Sequence, residues 1–183
     1  MADSDFRKAM RLSESSGNMG ILNDIGGGRI MAGGYQFSEP RLRDYMNKMG
    51  VEFEVEDFAK DPDLQESVMD WHEQDIMDLA MERGLDRFIG TEVGGVQVTP
   101  SAMVGMAHLG GNGGMRDFLV SGGKNDKVDK YGTRISDYGK KFTGMNMYGL
   151  TPMRPQARPE GLLPVDPNAP IRPRMRPQRG ILD

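Results

Sequence analysis

The chain has no cysteine, two histidines, one tryptophan and, before Pro152, only three prolines. Without cysteine there is no thiol nucleophile, no disulfide and no thiolate metal site. An apolar run of the roughly 20 residues that a bilayer span needs is also missing. The opening Met-Ala-Asp-Ser-Asp-Phe lacks the basic and then apolar pattern of a secretory signal. The expectation is a chain with no membrane span and no export signal, which must be delivered by something else if its substrate is outside the cytoplasm.

A basic excess is lacking as well, the formal net charge being −4 over 183 residues. Residues 1–144 carry 17 Lys plus Arg against 24 Asp plus Glu, and the remainder carries six Arg, two Asp and one Glu. An acidic body does not supply the many cations that sequence-independent binding to nucleic acid requires, so a nucleic-acid partner is not expected. Eight of the 11 prolines lie at or beyond Pro152. We therefore expect a folded domain over 1–144 and an extended, polyproline-like arm over 145–183.

What is present reads mostly as helix. Asp3 or Ser4 can cap a helix to about Ser15, with Phe6, Ala9, Met10 and Ser13 on one face and Glu14 beside it. Residues 16–37 are too rich in glycine for helix and suit a small β-ribbon. Ser38 and Pro40 open a second helix, with Leu42, Tyr45, Met46 and Met49 at helical spacing and Gly50 as its stop. Asp61-Pro62 opens the longest helix, which runs to Arg83 with a stripe of Leu64, Val68, Trp71, Ile76 and Leu79. Val93-Gly94-Gly95-Val96 marks a tight hairpin. Thr99-Pro100 starts a helix ending at Gly110, Gly110 to Gly114 reads as turns, and short helices follow over 115–120 and 133–142. The sum is an α+β, mostly helical class with a small β-hairpin. The 16 methionines read as adaptable core filler.

Three short stretches stand in order along this plan: Glu14-Ser15 at the end of the first helix, Gly33-Gly34-Tyr35-Gln36, and Ala107-His108-Leu109-Gly110-Gly111. A glutamate ending a helix beside small residues can be lodged in a cleft wall, where partial desolvation lets it hold and deliver a proton. Each stretch also has a plainer reading. Glu14 fits a solvated helix end, Tyr35 and Phe37 fit a half-buried strand, and His108 between two apolar residues fits a hydrogen-bonded buried histidine. His72-Glu73 begins a zincin-type helix motif, but Ile76 stands where the second histidine belongs, so no metal is expected. Neither the Gly26 triplet nor the Gly110 run precedes Lys-Ser/Thr, so no phosphate loop and no cofactor are expected.

The ordered trio resembles the lytic transglycosylases of the lysozyme superfamily, and in particular phage-encoded, virion-associated peptidoglycan hydrolases. The likeness runs from about Phe6 to Phe142 and includes Trp71 to Ile76 and Gly95 to Thr99. It implies a lysozyme-like domain over 1–144, with Glu14 as the catalytic acid. It also implies Gln36 as a sugar-amide contact, with Gly33, Tyr35, His108 and Gly110 lining the substrate cleft. Leu109 stands where that pattern has Asn, and His108 where Tyr is common. In the scheme the resemblance implies, Glu14 acts without a second carboxylate. Hydrolysis would enlist Asp24, whose distance from Glu14 is one residue longer than in the phage lysozyme pattern, with no Thr following in the loop.

The implied partners are peptidoglycan glycan strands and other virion or tail proteins. Leu162, Leu163, Val165, Ile171, Met175 and Ile181 alternate with four arginines from Arg172 to Arg179, a composition suited to an anchoring arm lying on a neighbour. The expected place of action is therefore the host envelope, reached as a tail or internal component of a virion. A free endolysin and a non-enzymatic virion adaptor with a lysozyme-like body remain the alternatives.

Overall fold

Ser4 accepts the Arg7 backbone N–H on its hydroxyl and starts α1, Asp5–Ser15, as the cap signal predicts. The structure is a computed structural model that describes residues 4–147. The arm expected over 145–183 thus falls almost wholly outside the described residues. Ser16 closes α1 in the left-handed conformation and leaves Glu14 in its last turn. Phe6 and Met10 are fully buried, and Phe6 meets Phe142 edge-on with ring centroids 5.4 Å apart.

The glycine-rich stretch folds into three short antiparallel strands, β1 (Leu22–Asp24), β2 (Ile30–Ala32) and β3 (Phe37–Ser38), in that spatial order. Asn23 stands opposite Met31, and Met31 opposite Ser38. Between β2 and β3, Gly33 turns the chain with φ +73°, and a Cβ there would lie 2.5 Å from Gln65 Oε1. That contact has a purpose in the fold. Gln65 is fully buried, accepts the Gly34 N–H at 2.8 Å and donates to the Met19, Phe58 and Ala59 carbonyls, so one amide ties the sheet to the helices beneath it.

Helix α2 (Glu39–Met49) follows at once and ends on Gly50 at φ +67°. A short α3 (Val55–Lys60), which no apolar period signals, leads to α4 (Pro62–Glu82), capped by Asp61. One 3-10 turn (Leu85–Phe88) and a hairpin of β4 (Glu92–Val93) and β5 (Val96–Gln97) lead to α5 (Pro100–Val120), and α6 (Ile135–Phe142) completes the body. The protein is α+β and mostly helical, with small antiparallel sheets.

Two boundaries differ from expectation. The helix from Pro100 breaks at a kink on Gly111 (φ 69°, ψ 169°), close to its expected end at Gly110, but helix resumes through 112–114, which the sequence reads as turns, and runs to Val120. The reason is packing against α6. A Cβ on Gly110 or Gly114 would sit 2.5 or 2.9 Å from Ile135 Cδ1, so these two serve close helix approach, while Gly111 supplies the positive φ of the kink. The body also runs past 144, since the Phe6 N–H bonds the Asn146 carbonyl at 3.3 Å and Met147 is buried.

Close approach recurs one turn away, where a Cβ on Gly105 would stand 2.6 Å from Phe142 Cδ2. Gly105→Ala is expected to cost about 1–3 kcal/mol by overpacking against a rigid ring. That outweighs the about 1 kcal/mol that alanine gains in helix propensity. A urea melt of the variant checks the sign; a stabilised protein would mean that α6 yields freely.

Candidate functional site

The end of α1, the β1–β3 sheet, the middle of α5 and the 124–134 loop enclose a cavity of about 1170 Å³. Helix α4 contributes its floor through His72 and Ile76, and α6 reaches it through Tyr138. Two lips meet across it, where Lys130 Nζ donates to the Ile25 carbonyl at 3.0 Å.

Glu14 lies in the cavity wall, half-buried, and accepts a hydrogen bond from the Tyr138 hydroxyl. Burial, and then Glu14 itself, hold that phenol protonated to well above its ordinary range. The carboxylate is thus oriented by a neutral donor. Beside it, Lys141 Nζ donates to Ser13 Oγ at 2.6 Å. Tyr138 reads in the sequence as one member of an apolar stripe with Ile135 and Phe142, and nothing in that spacing distinguishes its hydroxyl. Tyr138→Phe keeps the ring and frees the Glu14 carboxylate to rotate. Loss of this hydrogen bond to a half-buried carboxylate predicts a destabilisation of about 1–3 kcal/mol, which a urea melt checks; an unchanged midpoint would mean that water replaces the phenol without cost.

The residues expected from the sequence divide into two sets. Glu14, Asp24, Gln36 and His108 all line the cavity. Asp24 is exposed at the end of β1 and accepts the Gly26 N–H at 2.7 Å. Gln36 is buried at φ +53°; its Oε1 takes a bond from Asn23 Nδ2, and its Nε2 donates to the Gly33 carbonyl at 2.9 Å. Tyr35, Gly33 and Gly110, expected as substrate contacts, are not among the residues that line the cavity. Tyr35 is fully buried with its hydroxyl between Arg11 and Glu66 at 2.6 and 2.7 Å. Burial first, and Glu66 second, push its ionisation well above the usual range. Gly33 is held by Gln65 and Gly110 by Ile135, so both act in packing.

His108 is hydrogen-bonded on both ring nitrogens, to His72 at 3.2 Å and to the Tyr35 carbonyl at 2.9 Å. His72, set aside in the sequence once the zincin motif failed, is its partner and is itself bonded by Arg41 Nε at 2.8 Å. Desolvation, followed by the fields of His108 and Arg41, pushes His72 well below its ordinary range, so it is neutral. The sequence signal that could have found this pair is the scarcity of histidine itself. Both of the chain's histidines face one cavity.

Among the described residues, no three His, Asp or Glu side chains are grouped to hold a metal ion. The His72–His108 pair does not suit one either. Arg41 can only donate, so His72 Nδ1 must keep a lone pair, and a cation on Nε2 would require the ring to lose both protons. What the cavity offers is the Tyr138-bonded carboxylate of Glu14, further carboxylates at Asp24, Asp44 and Asp129, cations at Arg29, Arg41 and Lys130, and amides from Asn23 and Gln36. Such a wall suits a polar ligand, to which a held carboxylate can transfer a proton. No helix among the described residues is long and apolar enough to cross a membrane. The chain matches no protein-family model, no curated protein and no solved structure.

Proposed function

We propose that the protein cleaves the glycosidic bond between the two amino sugars of peptidoglycan, with Glu14 as general acid and then base. The observation that carries this reading is the Tyr138-oriented Glu14 in the wall of a large cavity that also holds Asn23, Asp24 and Gln36. At about 1170 Å³ the space exceeds the roughly 300–1,000 Å³ of a small-molecule pocket, which suits a polymer segment.

In the preferred route, protonated Glu14 gives its proton to the glycosidic oxygen as the C1–O bond breaks. The muramic acid 6-hydroxyl then attacks C1, closing an anhydro ring, and its proton returns to Glu14. Asp24 in the same cavity supports a second route, in which water attacks C1 with Asp24 as the opposing carboxylate.

The resemblance to virion-associated hydrolases, together with the Pro- and Arg-rich composition of residues 148–183, supports a tail or internal virion component that opens the wall during genome entry. Incubation with purified peptidoglycan and mass spectrometry of the released sugar ends tests the chemistry. Anhydro ends support transglycosylation and reducing ends hydrolysis. No products from folded protein would overturn the enzymatic reading in favour of a virion adaptor.

A further inference from the structure

We propose that Tyr131, Lys130 and Arg29 at the mouth of the cavity form a specificity subsite for an amino sugar whose side arm carries a carboxylate. The sugar ring lies on Tyr131 and the carboxylate on the two cations. The inference rests on the cleavage reading above and adds which glycan is taken, an acidic strand in preference to neutral chitin.

Tyr131 is 75% exposed, the most exposed large hydrophobic side chain among the described residues, and it lines the cavity. A ring left in water stabilises the fold little. Its one aromatic or cationic neighbour among the described residues is the Lys130 ammonium, 4.8 Å from the ring centroid, which leaves most of the ring open. Yet the turn that presents this ring is firmly braced. Asp129 Oδ1 accepts the N–H groups of Tyr131 and Thr133, both at 2.8 Å, and the Asp129 N–H bonds the Thr133 carbonyl at 2.9 Å. Behind it Val128 pairs with Arg134, and the Asp126 carboxylate takes the Ser136 N–H and hydroxyl at 2.9 and 2.7 Å. A ring already held in place loses little freedom when a ligand covers it. Its apolar face and polar hydroxyl suit a sugar, whose ring offers C–H groups to one side and hydroxyls around its edge.

The two cations come from opposite lips and meet on one turn. Lys130 Nζ donates to the Ile25 carbonyl at 3.0 Å and Arg29 Nε to the Gly26 carbonyl at 3.3 Å, so they rest on successive carbonyls. Neither forms an ion pair with a described residue. An ammonium has three N–H groups and a guanidinium five, so each keeps donors to spare, and a carboxylate binds such donors about twice as strongly as a neutral acceptor does. The acids of the two lips are turned to their own backbone: Asp24 takes the Gly26 N–H at 2.7 Å, and Asp129 takes Tyr131 and Thr133 as above. Space for a ligand arm remains beside the turn, since a Cβ on Gly26, Gly27 or Gly28 would meet nothing within 4 Å.

The disaccharide N-acetylglucosaminyl-N-acetylmuramic acid tests the subsite on the parent chain, because it lacks the bond that Glu14 is proposed to cleave and stays intact. Titrated in low salt beside neutral N,N′-diacetylchitobiose, it is expected to bind about tenfold more tightly and to shift the Tyr131 ring signals in NMR spectra. The preference should shrink as salt approaches about 1 M, where charges are screened within about 3 Å. The same disaccharide with its stem tetrapeptide locates the anion. Tightening by the bare acid assigns the lactyl carboxylate, and tightening by the peptide form alone assigns a stem carboxylate. A double variant, Arg29→Gln with Lys130→Gln, should bind all these sugars alike, and Tyr131→Ala should weaken each of them. Should a variant fail to fold, the preference and ring shift of the parent still decide. Equal affinity of the parent for the acidic and neutral sugars, a preference that survives the double variant, or a Tyr131 ring unmoved by bound sugar overturns the subsite. Binding of none of the sugars overturns it as well. Release of wall fragments in any of these cases leaves the cleavage reading standing, and absence of both binding and release overturns the two together.

Discussion

Glu14→Gln is expected, on the glycan-cleaving reading proposed above, to lower release of peptidoglycan fragments by about 10²–10⁴-fold, the range contributed by a positioned general acid or base. The substitution is nearly isosteric, and the glutamine carbonyl can still accept the Tyr138 hydroxyl bond that orients Glu14. Its amide has no proton to deliver to a leaving oxygen. The loss should therefore fall on turnover rather than on glycan affinity, because the amides of Asn23 and Gln36 remain in the wall. Release of muropeptides, followed beside a thermal melt, separates lost chemistry from lost fold. A variant as active as the parent would remove Glu14 from the mechanism and make Asp24 the next residue to replace.

Arg7→Met should destabilise the body strongly, by about 3–5 kcal/mol, because it strands a buried carboxylate. Arg7 is 5% exposed and pairs in a fork with Glu73, Nε to Oε1 and Nη2 to Oε2, both at 2.9 Å. It also reaches Glu66 at 3.2 Å, and Asp70. Glu73 is 2% exposed, and its carboxyl is pushed above its ordinary range by burial, against the opposing pull of Arg7. Removal of Arg7 leaves burial and the neighbouring Asp70 and Glu66 charges unopposed. A carboxyl whose folded-state pKa lies above its unfolded value binds its proton more tightly when folded, so stability rises as pH falls. The deficit of the variant should accordingly be greatest near neutral pH and shrink as the solution is acidified through the raised pKa of Glu73. Urea melts at pH 7 and pH 5 check both size and sign. Equal deficits at the two values would show that Glu73 does not carry the penalty.

Local signals placed most of the elements. Ser4, Asp61 and Thr99 each accept a backbone N–H at a helix start, and Gly50 ends α2 in the left-handed conformation. These readings succeed because a cap is decided within four residues. The glycine run from Gly110 was legible in part, since Gly111 does break α5 there at positive φ. That helix resumes at once was not legible, because it rests on the close approach of Gly114 to Ile135, 21 residues away.

The candidate site was legible in part. Glu14, Asp24, Gln36 and His108 were singled out from the sequence and share one cavity. Tyr35 was assigned to substrate on the same grounds, yet the turn between β2 and β3 directs its ring inward to Arg11 and Glu66, partners far away in sequence. Tyr138, His72 and Arg41 were missed. Each meets its partner across more than 30 positions of sequence, and no local period records such a meeting.

Composition and spacing alone determined an α+β, mostly helical body without thiol chemistry, its helix starts, and the position of Glu14 in the last turn of α1. These follow from forces acting within a few residues. The tertiary structure decided which polar groups face the cavity and in what state: Glu14 under a neutral phenol, and two histidines fixed in tautomer between an arginine and a carbonyl. Burial and hydrogen-bond direction belong to the packed assembly of α1, α4, α5, α6 and the sheet, and no segment possesses them by itself.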